Sequence, residues 1–450
     1  MKSEISIEKK IELAQWLLDP DKTQALPHDW NLLEQKLVAS GLYKIFTEIE
    51  LPLVEILDSM HEVGIKLDLK YLAELNKEMD KEIVVLVAKI YKLAGGEFNL
   101  NSPKQLSEVL FERLKISGEG IRTTKTGLRS TDIETLTLIK KTHPIVEPIL
   151  KYREIFKLRS TYVEPLQALA DKSGRVHTTF VQTGTATGRL SSQNPNMQNI
   201  PITGEWGKKI RKAFIAEKDY SIASFDYSQI ELRVLATVSG DPSMIEAFEK
   251  DLDIHKLTAS KVYNVPLEKV TPEMRATAKT LNFGVSYGMG PQAFAKVSGL
   301  SVAEARKFIQ EYFSDFAAVK KWQQETIDKA KKFGYVENLS GRRRWLPAIN
   351  WPNRRFASEA ERVAINMPIQ GLAADIIKLA MIRVAELIKK EKWRNKVRLL
   401  LSIHDELLFE IGDDILKEAT GLIKKEMEAA YQLAVSLKVD SAVGKNWGSV

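Results

Sequence analysis

The stretch Asp219–Ala236, DYSIASFDYSQIELRVLA, constrains the fold more than any other part of the chain. From Tyr220 to Phe225 apolar and small residues suit a buried strand, and from Ser228 the apolar spacing turns helical, with Ile230, Val234 and Leu235 on one face. Asp226 therefore stands where strand passes into helix. An ionised carboxylate bordering an apolar strand is costly unless a cation or donors meet it, so this position predicts a partner, and a metal ion is the expected one.

A second acidic stretch lies in Lys396–Ile411, KVRLLLSIHDELLFEI. Apolar runs at Leu399–Ile403 and Leu407–Ile411 predict a β-hairpin with His404, Asp405 and Glu406 at its tight turn. If the hairpin pairs beside the strand ending at Asp226, two carboxylates converge and can hold two Mg²⁺ ions, the arrangement of phosphoryl-transfer sites.

Three motifs then carry a resemblance. FDYSQIELR (225–233), RATAKTLNFGVSYG (275–288) and IHDELLFE (403–410) resemble, in this order, the polymerase motifs of bacterial family A DNA polymerases. TATGRLSSQNPNMQNIP (185–201) and ERVAINMPIQGLAADIIK (361–378) are similar to the same family, so the likeness runs from about residue 46 to the end. It implies an α+β right-hand polymerase fold, with an antiparallel palm sheet, helical fingers and a helical thumb. The implied divisions are a thumb at 46–176, palm at 177–235 and 352–450, and fingers at 236–351. Residues 1–45, where AQWLLDP resembles the end of a proofreading domain, read as a remnant of a 3′-to-5′ exonuclease-like domain.

The activity so implied is template-directed addition of dNTPs to a primer 3′-hydroxyl. Asp226, Asp405 and the backbone carbonyl of Tyr227 would ligate two Mg²⁺ ions, for which Mn²⁺ can substitute. Glu406 would be auxiliary and Lys279 a proton donor to the leaving group. Arg275, Lys279, Phe283, Tyr287, Glu231 and Gln229 would contact the dNTP, with Glu231 blocking the ribose 2′ side. Arg189, Asn196, Gln198, Asn199, Arg362, Asn366, Gln370 and His404 would contact primer-template DNA.

Arg275, Lys279, Phe283 and Tyr287 advance in steps of four along a helix that Thr271 caps and Pro272 opens, a stripe cationic first and aromatic later. A cation in the first turn opposes the helix dipole unless an anion sits nearby. A triphosphate met by Arg275 and Lys279, with base and sugar against Phe283, accounts for that order; a solvated end running into a buried aromatic end is the plainer alternative. Glu361–Ala385 reads as a long helix carrying Arg362, Asn366 and Gln370, interrupted by Pro368 and Gly371. The polar Gly184–Asn199 segment offers donors suited to minor-groove acceptors that all base pairs share.

Elsewhere the expectations are local. Arg175–Val181 reads as a strand entering the palm, and Lys115–Arg129 as a basic, DNA-facing loop. Lys151, Arg153, Lys157 and Arg159 interleave with aromatics, either as phosphate contacts or as a solvated face. Asp132 and Glu134 match the Asp-x-Glu of exonucleases, but Thr131 as a helix cap with Glu134 closing a capping box is the favoured reading. With Asp19, Asp21 and Asp29 in turn-like stretches, no proofreading is expected.

Composition excludes other classes. There is no cysteine, so disulfides and thiolate chemistry are ruled out, and the six histidines lack metal-ligand spacing. Lys plus Arg number 66 against 59 Asp plus Glu, a formal +7 that suits a polyanionic partner. No signal peptide or membrane-length apolar run is present, which predicts a cytoplasmic protein, expected as a monomer. Two rival functions stay open: a catalytically silent primer-template-binding protein and a two-metal nuclease.

Overall fold

The computed structural model describes residues 5–118, 120–124, 126–202 and 204–450. Glu119 and Lys125, within the expected Lys115–Arg129 loop, lie outside them. The fold is α+β. Its central sheet has four strands, β1 (Tyr220–Tyr227), β2 (Val397–Ile403), β3 (Glu406–Gly412) and β4 (Val439–Gly444), in the order β4-β1-β3-β2 with every neighbour antiparallel. The Leu416–Glu428 helix packs against β1, β3 and β4, and the Leu51–Val63 helix against β2. Phe225 and Phe409 meet edge to face across β1 and β3, with ring centroids 5.5 Å apart. These contacts bury the apolar run of β1 and leave its end, at Asp226, open.

The strand is longer than its apolar run suggests. It continues through Asp226 and Tyr227, because both pair with β4 and Asp226 also pairs with β3. The following helix starts at Ile230 rather than Ser228, since Gln229 takes a left-handed turn with φ 54.

Around the sheet the chain is helical. Leu51–Val63 and Leu69–Ala94 are separate helices, the first ending at Gly64 (φ 59). A lobe of six helices runs from Pro242–Glu249 to Ala317–Phe333 and closes on a small hairpin, Tyr335–Glu337 with Arg343–Trp345. The Arg354–Lys390 helix, 37 residues and about 55 Å long, runs through the core with Pro368 inside it; the expected interruption at Pro368 and Gly371 does not occur. Among the described residues no helix is long and apolar enough to cross a membrane.

Three further expectations need correction. Arg175–Val181 is not one strand: Arg175–Val176 pairs with Ile65–Lys66 and Thr179–Val181 with Ser191–Gln193, in two separate ribbons outside the central sheet. The cap before the Ile133–Leu138 helix is Asp132, whose carboxylate accepts from Thr135 N–H at 2.7 Å, not Thr131. Glu134 closes no capping box, because Arg122 and Lys296 hold it in ion pairs. Arg153 and Arg159 are also committed internally, Arg153 to the Thr131 carbonyl and Arg159 to Asp80 and Glu164 at 2.7 and 2.8 Å. Lys151 and Lys157 remain exposed.

The N-terminal helices Ile7–Leu18 and Trp30–Ala39 have a small core of their own, with Trp16, Leu33, Leu37 and Phe46. A buried charge knot joins them to the rest. Glu50 receives Lys378 Nζ at 2.8 Å, the Arg342 guanidinium, and Gln182 Nε2 at 3.0 Å. Arg342 also reaches Asp375 Oδ1 at 2.6 Å, and Asn338 Nδ2 donates to Asp375 at 2.8 Å. Two anions meet two cations, all buried. The Trp16 ring lies 5.2 Å from the Arg342 guanidinium and 5.1 Å from Lys378 Nζ, and its indole N–H donates to the Thr185 carbonyl at 2.9 Å. Gly188, at φ 89, lets the Thr185–Arg189 segment pass over this knot; a Cβ there would stand 2.9 Å from Arg342 Nε.

Candidate active site

The two acidic stretches meet at the sheet's end. Asp226 lies opposite Glu406 on β3 and Asp440 on β4, and the Tyr227 N–H donates to the Asp405 carbonyl at 3.1 Å. The hairpin turns at His404 and Asp405, with His404 in the left-handed region at φ 52. Glu406 is thus not a turn residue as expected: it opens β3, where Ser224 Oγ donates to it at 2.5 Å.

Crowding shows in the electrostatics. Burial of the carboxyl, then the negative charges of Glu406, Asp405 and Asp440, push the Asp226 pKa up to about 6. Burial raises Asp405 as well, against the pull of Arg189, which lies 3.7 Å from Oδ1. That oxygen is buried and makes no hydrogen bond. The Asp226 and Asp405 carboxylates offer oxygen donors, one of them a buried acceptor without a hydrogen bond, which fits a hard divalent cation. Among the described residues no group of three or more His, Asp or Glu is placed to hold a metal ion.

From Asp405 a chain of polar contacts leads into the helical lobe. Arg189 donates to Glu231 Oε1 at 2.7 Å, Tyr287 donates its hydroxyl to Glu231 Oε2 at 2.8 Å, and Gln370 Nε2 donates to the Tyr287 oxygen at 3.3 Å. Glu231 is buried in the first turn of the Ile230–Ser239 helix; burial raises its pKa although Arg189 and Tyr287 oppose the shift. Tyr287 is pushed up to about 12 by burial and by Glu231, so it stays a donor.

The expected stripe forms on the Pro272–Ser286 helix, capped by Thr271, whose side chain accepts from Met274 N–H. Arg275 and Lys279 are exposed and Phe283 half-buried. The anion that a first-turn cation requires is Asp253, 2.6 Å from Arg275 Nε. Beside it lies a residue that spacing alone does not reveal, His255, buried against Phe283 with ring centroids 5.8 Å apart and bonded to Asn282 at 3.0 Å. Burial drives its pKa down to about 4, so the ring is neutral at pH 7. The one sequence signal is Asp253, which caps the Ile254–Val262 helix carrying it.

The residues expected on the DNA side divide. Arg362 is exposed, packed where Gly288 (φ 65) would place a Cβ 3.2 Å from its Cγ. Asn366 Oδ1 and Gln229 Oε1 are buried acceptors without partners. Gln198 is already occupied, its amide donating to the Leu190 and Ser402 carbonyls at 3.2 and 3.0 Å. Asn196 caps the Met197–Asn199 turn with its side-chain oxygen, and the Asn199 carbonyl accepts from Tyr162. His404 is exposed, and burial of its ring with the charges of Arg189 and Arg211 lowers its pKa. A cavity of about 200 Å³ opens between Arg189, Gln198, Ile377, Ser402 and His404.

Residues 69–449 match the model of DNA polymerase family A. The chain belongs to that family. The family A chain is 45% identical to the thermostable DNA polymerase I of Thermus thermophilus over 418 residues, 93% of this chain and 50% of the relative. It is also 45% identical to DNA polymerase I of Bacillus subtilis over 417 residues, 92% and 47% of the two lengths. The chain thus spans about half the length of the curated relatives it matches. A solved structure, the POL domain of Pol1 from M. smegmatis in complex with DNA primer-template and dNTP, superposes with a TM-score of 0.92 at 37% identity, covering 98% of this chain and 82% of that one. The α+β right-hand polymerase fold, with its antiparallel palm sheet, is therefore the fold of this family A chain.

Proposed function

We propose that this chain adds deoxynucleotides to a primer 3′-hydroxyl under the direction of a template strand. The observation that carries the reading is the pair Asp226 and Asp405, both raised in pKa and met, among the described residues, only by Arg189 at 3.7 Å from Asp405, in the same molecule as a helix bearing exposed Arg275 and Lys279. A nuclease has no need of that second element. The solved relative bound to primer-template and dNTP supports the same substrates. The thumb is assigned to 46–176, the palm to 177–235 and 352–450, and the fingers to 236–351.

Asp226, Asp405 and the Tyr227 carbonyl would hold two Mg²⁺ ions, or Mn²⁺ in their place, which lower the pKa of the attacking hydroxyl and neutralise the phosphates. Arg275 and Lys279 bind the triphosphate, and Lys279 gives a proton to the departing pyrophosphate. Phe283 faces base and sugar, with the neutral His255 behind it. Glu231, fixed by Arg189 and Tyr287, forms a wall against a ribose 2′-hydroxyl. Arg362, Asn366 and Gln370 face the template side, and Arg189 and His404 the primer side.

The deciding experiment is primer extension with and without dNTPs in Mg²⁺. Template-dependent lengthening that needs all four dNTPs supports the reading; shortening, or binding without change in length, refutes it. We also assign these residues no 3′-to-5′ exonuclease: Asp132 is spent as a cap, Glu134 in ion pairs, Asp29 as a cap and Asp21 on Arg344. Mg²⁺-dependent trimming of a 3′-mismatched primer that survived Asp226→Ala would reveal a second centre.

A further inference from the structure

The segment that brings Arg189 to the candidate site has little architecture of its own. Between the ribbon strands Thr179–Val181 and Ser191–Gln193 the chain runs irregularly, and among the described residues 184–190 make no hydrogen bond between backbone groups. A stretch whose amides and carbonyls do not pair with one another takes its shape from the side chains that reach it. Here several of those side chains come from residues 1–50.

The contacts follow one another along the segment. Gln182 Nε2 donates to the Glu50 carbonyl at 2.9 Å, Thr183 Oγ1 donates to Glu12 Oε1 at 2.9 Å, and the Trp16 indole N–H donates to the Thr185 carbonyl at 2.9 Å. Glu12 and Trp16 stand one turn apart on the Ile7–Leu18 helix, so a single face of that helix meets the segment at two places. The indole is held in turn: its ring is 4% exposed and lies against the Arg342 and Lys378 cations of the knot.

From Thr185 the site is close. Thr185 Oγ1 donates to the Arg189 carbonyl at 2.7 Å, and the Arg189 guanidinium donates to Glu231 Oε1 at 2.7 Å and lies 3.7 Å from Asp405 Oδ1. The path from the Trp16 indole to the Glu231 carboxylate thus runs through Thr185 and Arg189 alone. A plainer account makes Trp16 a core residue of the N-terminal helices, clustered with Leu13, Leu33 and Leu37, which uses Thr185 only to satisfy a buried N–H. That accounts for the ring. It gives no reason for Glu12 and Glu50 to hold the neighbouring Thr183 and Gln182, nor for Thr185 to pass the contact on to Arg189.

We propose that Trp16 is a positioning residue for the copying reaction: through Thr185 it sets where Arg189 stands, and through Arg189 how firmly Glu231 closes the ribose 2′ side. The N-terminal helices then serve the choice of sugar as well as stability. The inference rests on the proposed polymerase function and on Glu231 as the wall.

The test compares incorporation of deoxy- and ribonucleotides by the full chain, as kcat and KM for each sugar, well below the melting temperature. Trp16→Phe keeps an aromatic ring in the core and removes the indole N–H. It is expected to lower the preference for deoxynucleotides about fivefold, through better use of ribonucleotides, while kcat for the correct deoxynucleotide stays within about twofold of wild type. Thr185→Val, which removes the hydroxyl bonded to Arg189, should do the same, and Thr185→Ser, which keeps it, should not. The double variant Trp16→Phe/Thr185→Val should lose no more than the larger single loss, since both changes break one path. Leu33→Ala opens a cavity in the same small core away from the segment's hydrogen bonds, and should lower the melting temperature while leaving sugar preference unchanged. Wild-type preference in both Trp16→Phe and Thr185→Val, or an equal loss in Leu33→Ala, overturns the positioning role while extension and the wall stand. A wild type that extends primers without distinguishing the sugars overturns the wall, and this role with it; one that extends nothing overturns the proposed function as well.

Discussion

Two groups of carboxylates in this molecule have opposite fates. Glu50 and Asp375 are enclosed with Arg342 and Lys378, and although burial pushes the Glu50 pKa up, Lys378 and Arg342 pull it below the ordinary range. Asp226 is raised by desolvation and by the acids around it, and Asp405 by desolvation against the pull of Arg189. The knot is complete within the protein. The sheet's end is not, and its missing charge must come from outside. The same residue types thus serve structure where the chain supplies the counter-charge and chemistry where it withholds it.

The largest effect expected from this contrast is on rate. Asp226→Ala or Asp405→Ala should lower primer extension by at least about a thousandfold, since the lost stabilisation belongs mainly to the transition state. Primer-template affinity and melting temperature should hold, or the latter rise as repulsion is relieved. A variant that melted clearly lower would erase the distinction between the two regions. Glu50→Gln should do the reverse, costing about 3–5 kcal/mol of stability in denaturant unfolding because two buried cations lose an anion. Its extension rate at low temperature should stay within about threefold of wild type.

Acid should separate the two regions by sign. The raised Asp226 pKa means that, free of metal, the stability from its proton is full below the unfolded value of about 4 and is lost as pH rises through about 6. Glu50, held low, contributes stability that is present above the unfolded value and disappears as pH falls through its depressed folded value. Unfolding measured without metal at several pH values in the wild type, Asp226→Asn and Glu50→Gln resolves them. Smaller again, Glu231→Ala should admit ribonucleotides while slowing correct addition about tenfold, because Arg189 and Tyr287 lose their shared anchor. Incorporation assays with both sugars would expose an unchanged preference. Glu406→Ala should cost less than about tenfold, as its main bond is to Ser224.

The sequence made the site's parts readable and left their wiring hidden. Asp226, the hairpin of Asp405 and the Thr271-capped helix follow from local patterns of apolar residues and caps, and the structure forms each of them. Glu406 was misplaced by one position because only pairing with β1 decides where the turn ends. Pro368 should interrupt an isolated helix, yet burial along both its flanks holds this one together. His255, Asp253 and the partners of Glu50 are brought to their places by elements distant in sequence, and no local pattern encodes such meetings. Arg153, Arg159 and Gln198 show the converse: local chemistry offered them to DNA, and tertiary contacts claimed them first.

The knot also bears on the order in which the chain folds. Glu50 is separated from Arg342 by 292 residues and from Lys378 by 328. Closing a flexible loop of that size costs about 5 kcal/mol in chain entropy, so the contact forms only after the intervening helices and sheet have shortened the distance. During synthesis Thr185, Gln182 and Arg342 supply Trp16 and Glu50 with partners before Lys378 is made, and Lys378 completes the set. The completed knot therefore reports that the elements between Glu50 and Lys378 have folded.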